Sequence, residues 1–196
     1  MLTFAAAVFF LLITPGPGVL SAAGVGSGFG FRPGITYLVG LFAGSNGVGF
    51  AVISGLATML EVYPSLRIAL ILASGAYLLY LAAKIAFAGS RIAFIHSETP
   101  PGFWGGVALQ AINPKAYVVN TALFAGFPFM PGNLLVEIVV KLLIINAIWI
   151  PIHVLWLATG VGIRRLALPR RVQFIVNMTM AVSMLLVVGL AALAQG

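Results

Sequence analysis

The sequence predicts an all-α integral membrane protein of six transmembrane helices. They form two inverted three-helix repeats, and the first helix of each half is broken at proline. Three observations lead there. Of 196 residues, 62% are apolar and 7% charged, against about 45–50% and about 25% in a soluble domain. The apolar residues lie in runs long enough to cross a bilayer, for which a helix needs about 20 of them. Prolines interrupt the first run at Pro15 and Pro17 and the fourth at Pro114. A soluble chain this small would still expose much of its surface to water, so lipid has to be the solvent for most of it. That excludes a soluble enzyme and a nucleic-acid binder.

The first segment runs from Met1 to about Gly24 and is interrupted by TPGPG, Thr14–Gly18. The second runs from about Pro33 to Leu60 and the third from about Pro64 to Ala88. The fourth spans about Gly102 to Gly126 around INPK, Ile112–Lys115. The fifth runs from about Leu134 to Gly160 with Pro151 inside it, and the sixth from about Val172 to Ala194. A barrel would need alternating segments of about 10 residues, and the chain has none. Gly24, Gly26, Gly28 and Gly30 fit no nucleotide-binding pattern and read as a flexible loop after the first helix. No loop is long enough to be a soluble domain, so residues 1–196 read as one domain with halves of about 1–97 and 98–196.

Charge sets the topology. Arg32, Lys84, Arg91, Arg164, Arg165, Arg170 and Arg171 fall in the loops after helices 1, 3 and 5, and only Arg67 falls on the other side. Basic loops stay cytoplasmic, so both termini face outward. With three helices per half, the halves run in opposite directions.

The matching interruptions carry the chemistry. Proline removes a backbone donor and clashes with the preceding turn, and broken helices at equivalent places mark transporter binding sites. Each break starts a new half-helix whose free N–H groups carry partial positive charge. Inversion points the two N-termini at each other near the midplane, where Lys115 adds a full charge. The candidate binding residues are Pro15, Gly16, Pro17, Asn113, Pro114 and Lys115, with Asn113 able to cap the second half-helix. They suit a substrate carboxylate. The structural alternative is that the prolines only kink the helices.

Intramembrane ionisable residues are functional candidates. Glu137 and Lys141 share a helix face and read either as a proton or amine site or as an outer-edge ion pair with Lys141 snorkelling to the interface. His153 follows Pro151 and is placed on one face with Asn146, Trp149 and Ile150. It can relay protons or simply hydrogen-bond within the bundle. Asn46 and Tyr77 are further candidates to contact substrate. Three Glu, two His, no Cys and no Asp make a poor metal-ligand supply. No metal and no cofactor are expected.

TPGPGVL (Thr14–Leu20), GFRPGITYLVG (Gly30–Gly40), SGAYLLYLAAK (Ser74–Lys84) and ALQAINPKA (Ala108–Ala116) together resemble the LysE/RhtB family of amino-acid exporters. The resemblance is collinear over all six spans. It implies a small carrier of the bacterial inner membrane that exports amino acids or close relatives, coupled to the proton gradient, and it allows a homodimer. Many members carry an Asp in helix 2, and that position is Ser45 here. The expected function is export of a small amino acid or related zwitterion. The alternatives are a membrane scaffold or degenerate carrier, or an exporter of a metal ion or other small solute.

Overall fold

A computed structural model describes residues 1–55, 99–130 and 132–166 without interruption, and isolated positions among 63–83 and 169–182. All regular structure among the described residues is helical: α1 (Leu2–Ile13), α2 (Pro17–Phe29), α3 (Phe31–Ile53), α4 (Gly102–Ile112), α5 (Pro114–Gly126) and α6 (Leu134–Arg165). α3 and α6 are each long and apolar enough to cross a membrane, and α1 with α2 reaches that length and apolarity as a pair bent by 50°. Most of the expected third and sixth helices lies outside the described residues.

The breaks fall where proline puts them. Pro17 and Pro114 each open a helix, a position where the missing N–H costs no hydrogen bond and the fixed φ favours the first turn. α2 runs to Phe29, five residues beyond the expected end. The Gly24–Gly30 stretch is therefore not a flexible loop. It stays helical to Phe29, and Gly26 lets α2 lie close against α6. The turn into α3 is made at Gly30, whose φ of +89° is open to glycine. Arg164 closes this end by donating from Nη1 to the Gly28 carbonyl at 2.7 Å.

Two glycine seams set the helix positions. A Cβ on Gly26 would lie 2.6 Å from the Leu157 carbonyl oxygen, and one on Gly160 would overlap the Ala23 carbonyl. These contacts join α2 to α6. A Cβ on Gly40 would overlap the Phe103 carbonyl, and one on Gly106 would overlap Tyr37 O and Leu41 N. These contacts join α3 to α4. In lipid, where apolar burial gives little drive, such close backbone approach is what holds helices together. Around the seams, Leu20, Val25, Leu41, Leu109, Trp149 and Leu157 form the core. Phe4, Val8, Val119, Leu123 and Ile145 form a second cluster. Leu2, Phe10, Trp104, Leu135 and Leu143 are exposed on the outside of the bundle, as a lipid-facing surface requires.

Gly106→Val therefore has no room on α4. It is expected to cost about 1–3 kcal/mol or more by overpacking, read as a lower melting temperature in detergent. Gly162→Ala, which meets nothing within 4 Å, serves as the control and should keep or raise the melting temperature. Equal stability of the two variants would contradict the seam.

Candidate functional site

The site is built from the two breaks. α1 ends at Ile13, and the chain passes through Thr14 and an extended Gly16 before α2 begins. α4 ends at Ile112, and α5 begins after Asn113. Asn113 secures both sides of its break. Its Oδ1 accepts from the Lys115 backbone N–H at 3.1 Å, and its Nδ2 donates to Gln110 Oε1 at 2.9 Å. The first bond is the N-cap foreseen for this residue, which satisfies one of the orphan donors of the new helix.

Lys115 reaches from the second break to the first. Its Nζ donates to the Thr14 carbonyl at 2.6 Å. That carbonyl belongs to the end of α1, where carbonyls lack helical partners and the helix carries its partial negative charge. Gly16 makes room for the lysine: a Cβ there would sit 2.7 Å from Lys115 Cδ and 3.1 Å from Nζ. Among the described residues no carboxylate pairs with Lys115, since the ion pair recorded lies elsewhere. An ammonium has three N–H donors, so two remain beyond the bond to Thr14.

These groups border a cavity of about 50 Å³, room for only a few waters. α2 lines it with Gly18 and Val19, α3 with Ser45, α4 with Gln110, α5 with Ala116 and Asn120, and α6 with Trp149 and His153. Both half-helix N-termini, at Gly16 and Asn113, open onto it. His153 is buried, its ring stacked on Trp149 with centroids 3.6 Å apart. Its Nδ1 lies 2.9 Å from the Trp149 carbonyl. A carbonyl only accepts, so Nδ1 carries the proton and Nε2 of the neutral ring is left as an acceptor. A Cβ on Gly18 would lie 3.5 Å from both His153 Nε2 and Gln110 Nε2. Those two polar atoms thus converge over the first turn of α2.

The candidates from sequence divide accordingly. Gly16, Asn113, Lys115 and His153 meet at the cavity, and Pro15, Pro17 and Pro114 shape the breaks beside it. Asn46 is placed elsewhere. It exchanges two hydrogen bonds with Asn146, at 3.1 and 2.9 Å, and also donates to the Phe42 carbonyl. Its neighbour Ser45 faces the cavity instead. Ile150 is 46% exposed, so the face expected to carry it with Trp149 and His153 turns it outward. Tyr77 lies outside the described residues.

Glu137 and Lys141 pair at 2.9 Å, away from the cavity. Lys141 does not snorkel: it is 1% exposed and Glu137 is 5% exposed. The loop before α6 folds back over them, with Phe129 N and Met130 N donating to Glu137 Oε2 at 3.0 and 2.5 Å. Lys141 Nζ donates to the Phe124 carbonyl at 3.0 Å and lies 5.6 Å from the Phe4 and Phe129 ring centres.

Sequence reasoning missed the Thr14 carbonyl, Gly18 and Trp149 as parts of the site. Pro17 at the first helical position was the signal for Gly18, one residue on. The Thr14 carbonyl has no sequence signal, because it becomes available only when the helix ends there.

The cap at Asn113 gives a measurable consequence. Asn113→Ala should lose about 1 kcal/mol of stability, seen as a lower melting temperature in detergent. Asn113→Ser restores a cap acceptor and should recover most of it. A full loss in Asn113→Ser would contradict the capping role.

The family model described as LysE type translocator matches residues 9–196. The leucine efflux protein of Salmonella choleraesuis (strain SC-B67) is 29% identical over 130 residues, which are 64% of this chain and 61% of that protein. The cysteine/O-acetylserine efflux protein of Salmonella paratyphi A (strain ATCC 9150 / SARB42) is 31% identical over 120 residues, 59% of this chain and 58% of that protein. The chain thus spans about three fifths of the length of these curated relatives. No solved structure matches the chain significantly. The family match covers both breaks and both long spans, and the chain belongs to the LysE type translocator family, as a multi-pass membrane protein that is helical wherever its described residues form regular structure, and not an enzyme.

Proposed function

We propose that the chain exports a small amino acid or a related zwitterion across the bacterial inner membrane, and that the substrate carboxylate is held between the two broken helices. The observation that carries this reading is Lys115. It places a cation beside two helix N-termini, with no carboxylate partner among the described residues. An intramembrane charge is costly without a partner, and helix N-termini favour anions. A substrate carboxylate supplies the missing charge. The relatives support the substrate class, since their names state efflux of leucine and of cysteine or O-acetylserine. The cavity of about 50 Å³ admits a carboxylate head, and the helices part to admit the rest.

The chain works as one domain of two inverted three-helix halves with both termini outside. The reciprocal Asn46–Asn146 pair supports this, because α3 and α6 follow the break in their respective halves. A two-fold relation generates mutual contacts of that kind. Rocking of one half against the other exposes the site to each side in turn. His153 carries the coupling proton, because the Nε2 acceptor converges with Gln110 over Gly18 at the site.

Amino-acid release from peptide-loaded cells tests the reading. Cells with the protein should release one or two amino acids selectively. Pro15→Ala, Asn113→Ala and Lys115→Met should each lower that export, with Lys115→Met down at least about tenfold, or about 1.4 kcal/mol. Wild-type export by all three variants would show the site to be wrong. In liposomes, an imposed pH gradient should accelerate wild-type flux. His153→Gln keeps a side-chain hydrogen bond but cannot carry the proton, so it should transport downhill without that acceleration. Undiminished acceleration would remove His153 from coupling.

A further inference from the structure

A second cavity, of about 310 Å³, opens between the C-terminal ends of α3 and α5 and the first turns of α6. One wall is apolar, with Val52, Ile53, Phe124 and Ile138, and another carries Glu137 and Lys141. The charged pair ties four parts of the chain together. Lys141 holds the end of α5 through the Phe124 carbonyl and packs against Phe4 of α1. Glu137 holds the loop before α6 through Phe129 N and Met130 N.

Separating a buried pair leaves two uncompensated charges, which is strongly unfavourable unless each finds a new partner. A cation entering the cavity would satisfy Glu137 and strand Lys141. An anion would do the reverse. A zwitterion offers both charges at once and exchanges one ion pair for two. The apolar wall then suits an aliphatic side chain.

We infer that this cavity is a second binding site for the exported zwitterion, with the ammonium on Glu137, the carboxylate on Lys141 and the side chain against Val52, Ile53 and Phe124. The inference rests on the reading of the chain as an amino-acid exporter and adds a station beyond the midplane. Because Glu137 also holds Phe129 N and Met130 N, an ammonium arriving there competes with the loop before α6. Occupancy therefore loosens the closure over the cavity.

The chain contains no cysteine, so single cysteines report on each cavity in the full-length protein in liposomes. Thr121→Cys reports on this cavity and Ser45→Cys on the midplane. The probes are L-leucine and O-acetyl-L-serine, tested separately. At least one of them should bind at two per chain in equilibrium measurements with labelled ligand. It should slow maleimide labelling of Thr121→Cys at least threefold. L-Leucinamide, which lacks the carboxylate, and 4-methylpentanoate, which lacks the amine, should not slow it. The neutral double variant Glu137→Gln/Lys141→Gln leaves no stranded charge and should bind one per chain, with Ser45→Cys still protected. Protection of Thr121→Cys in the otherwise unaltered chain tests the site even if that double variant does not fold. Protection at Ser45→Cys alone, or equal protection of Thr121→Cys by 4-methylpentanoate, overturns the second site and leaves the midplane reading intact. No binding of either probe overturns both.

Discussion

The bond from Lys115 Nζ to the Thr14 carbonyl is the constraint on which the rest of the site depends. Breaking a helix inside a membrane frees backbone carbonyls on one side and N–H groups on the other, and lipid satisfies neither. The second break supplies the lysine that answers the carbonyl of the first. Gly16 is extended and carries no side chain where Lys115 passes. Asn113 caps the half-helix from which Lys115 projects. The two breaks are therefore one structure, and both half-helix starts border a shared cavity.

The long helices decide what else reaches that cavity. Gly40, Gly44 and Gly106 press α3 against α4, and a Cβ on Gly44 would lie 2.8 Å from Gln110 Cβ. That contact fixes the rotation of α3, so Ser45 turns inward and Asn46 turns to Asn146. On the opposite side, Gly26 and Gly160 press α2 against α6 and bring His153 over Gly18. Small residues thus act on function through position. They set which polar atoms converge, while the prolines set where the backbone opens.

Much of this was legible in the sequence, for identifiable reasons. Pro17 and Pro114 mark the starts of α2 and α5, and Asn113 reads as a cap, because these are local effects of one residue on its own backbone. Helix rotation is not local. Ser45 and Asn46 are adjacent and differ by about 100° around a helix of 3.6 residues per turn, so only the packing on α4 tells them apart. Nor is the fate of Lys141 local. Its place near the start of α6 invites snorkelling, but the preceding loop returns through Phe129 and Met130 and encloses the pair. The Gly24–Gly30 stretch misleads in the same way. Glycine lowers helix propensity, yet here the segment stays helical to Phe29, and Gly26 lets it lie close against α6.

The central claim is that the substrate carboxylate meets Lys115 between the broken helices. Solid-state NMR on the protein in lipid tests it directly, using L-leucine or O-acetyl-L-serine labelled with 13C at the carboxylate and lysine labelled with 15N at Nζ. The account predicts strong carbon–nitrogen dephasing at hydrogen-bonding range. The signal should persist in a Glu137→Gln/Lys141→Gln background and vanish when Lys115 is replaced by Met. Dephasing that survives the loss of Lys115 in that background, or a bound substrate whose carboxylate shows none, would contradict it.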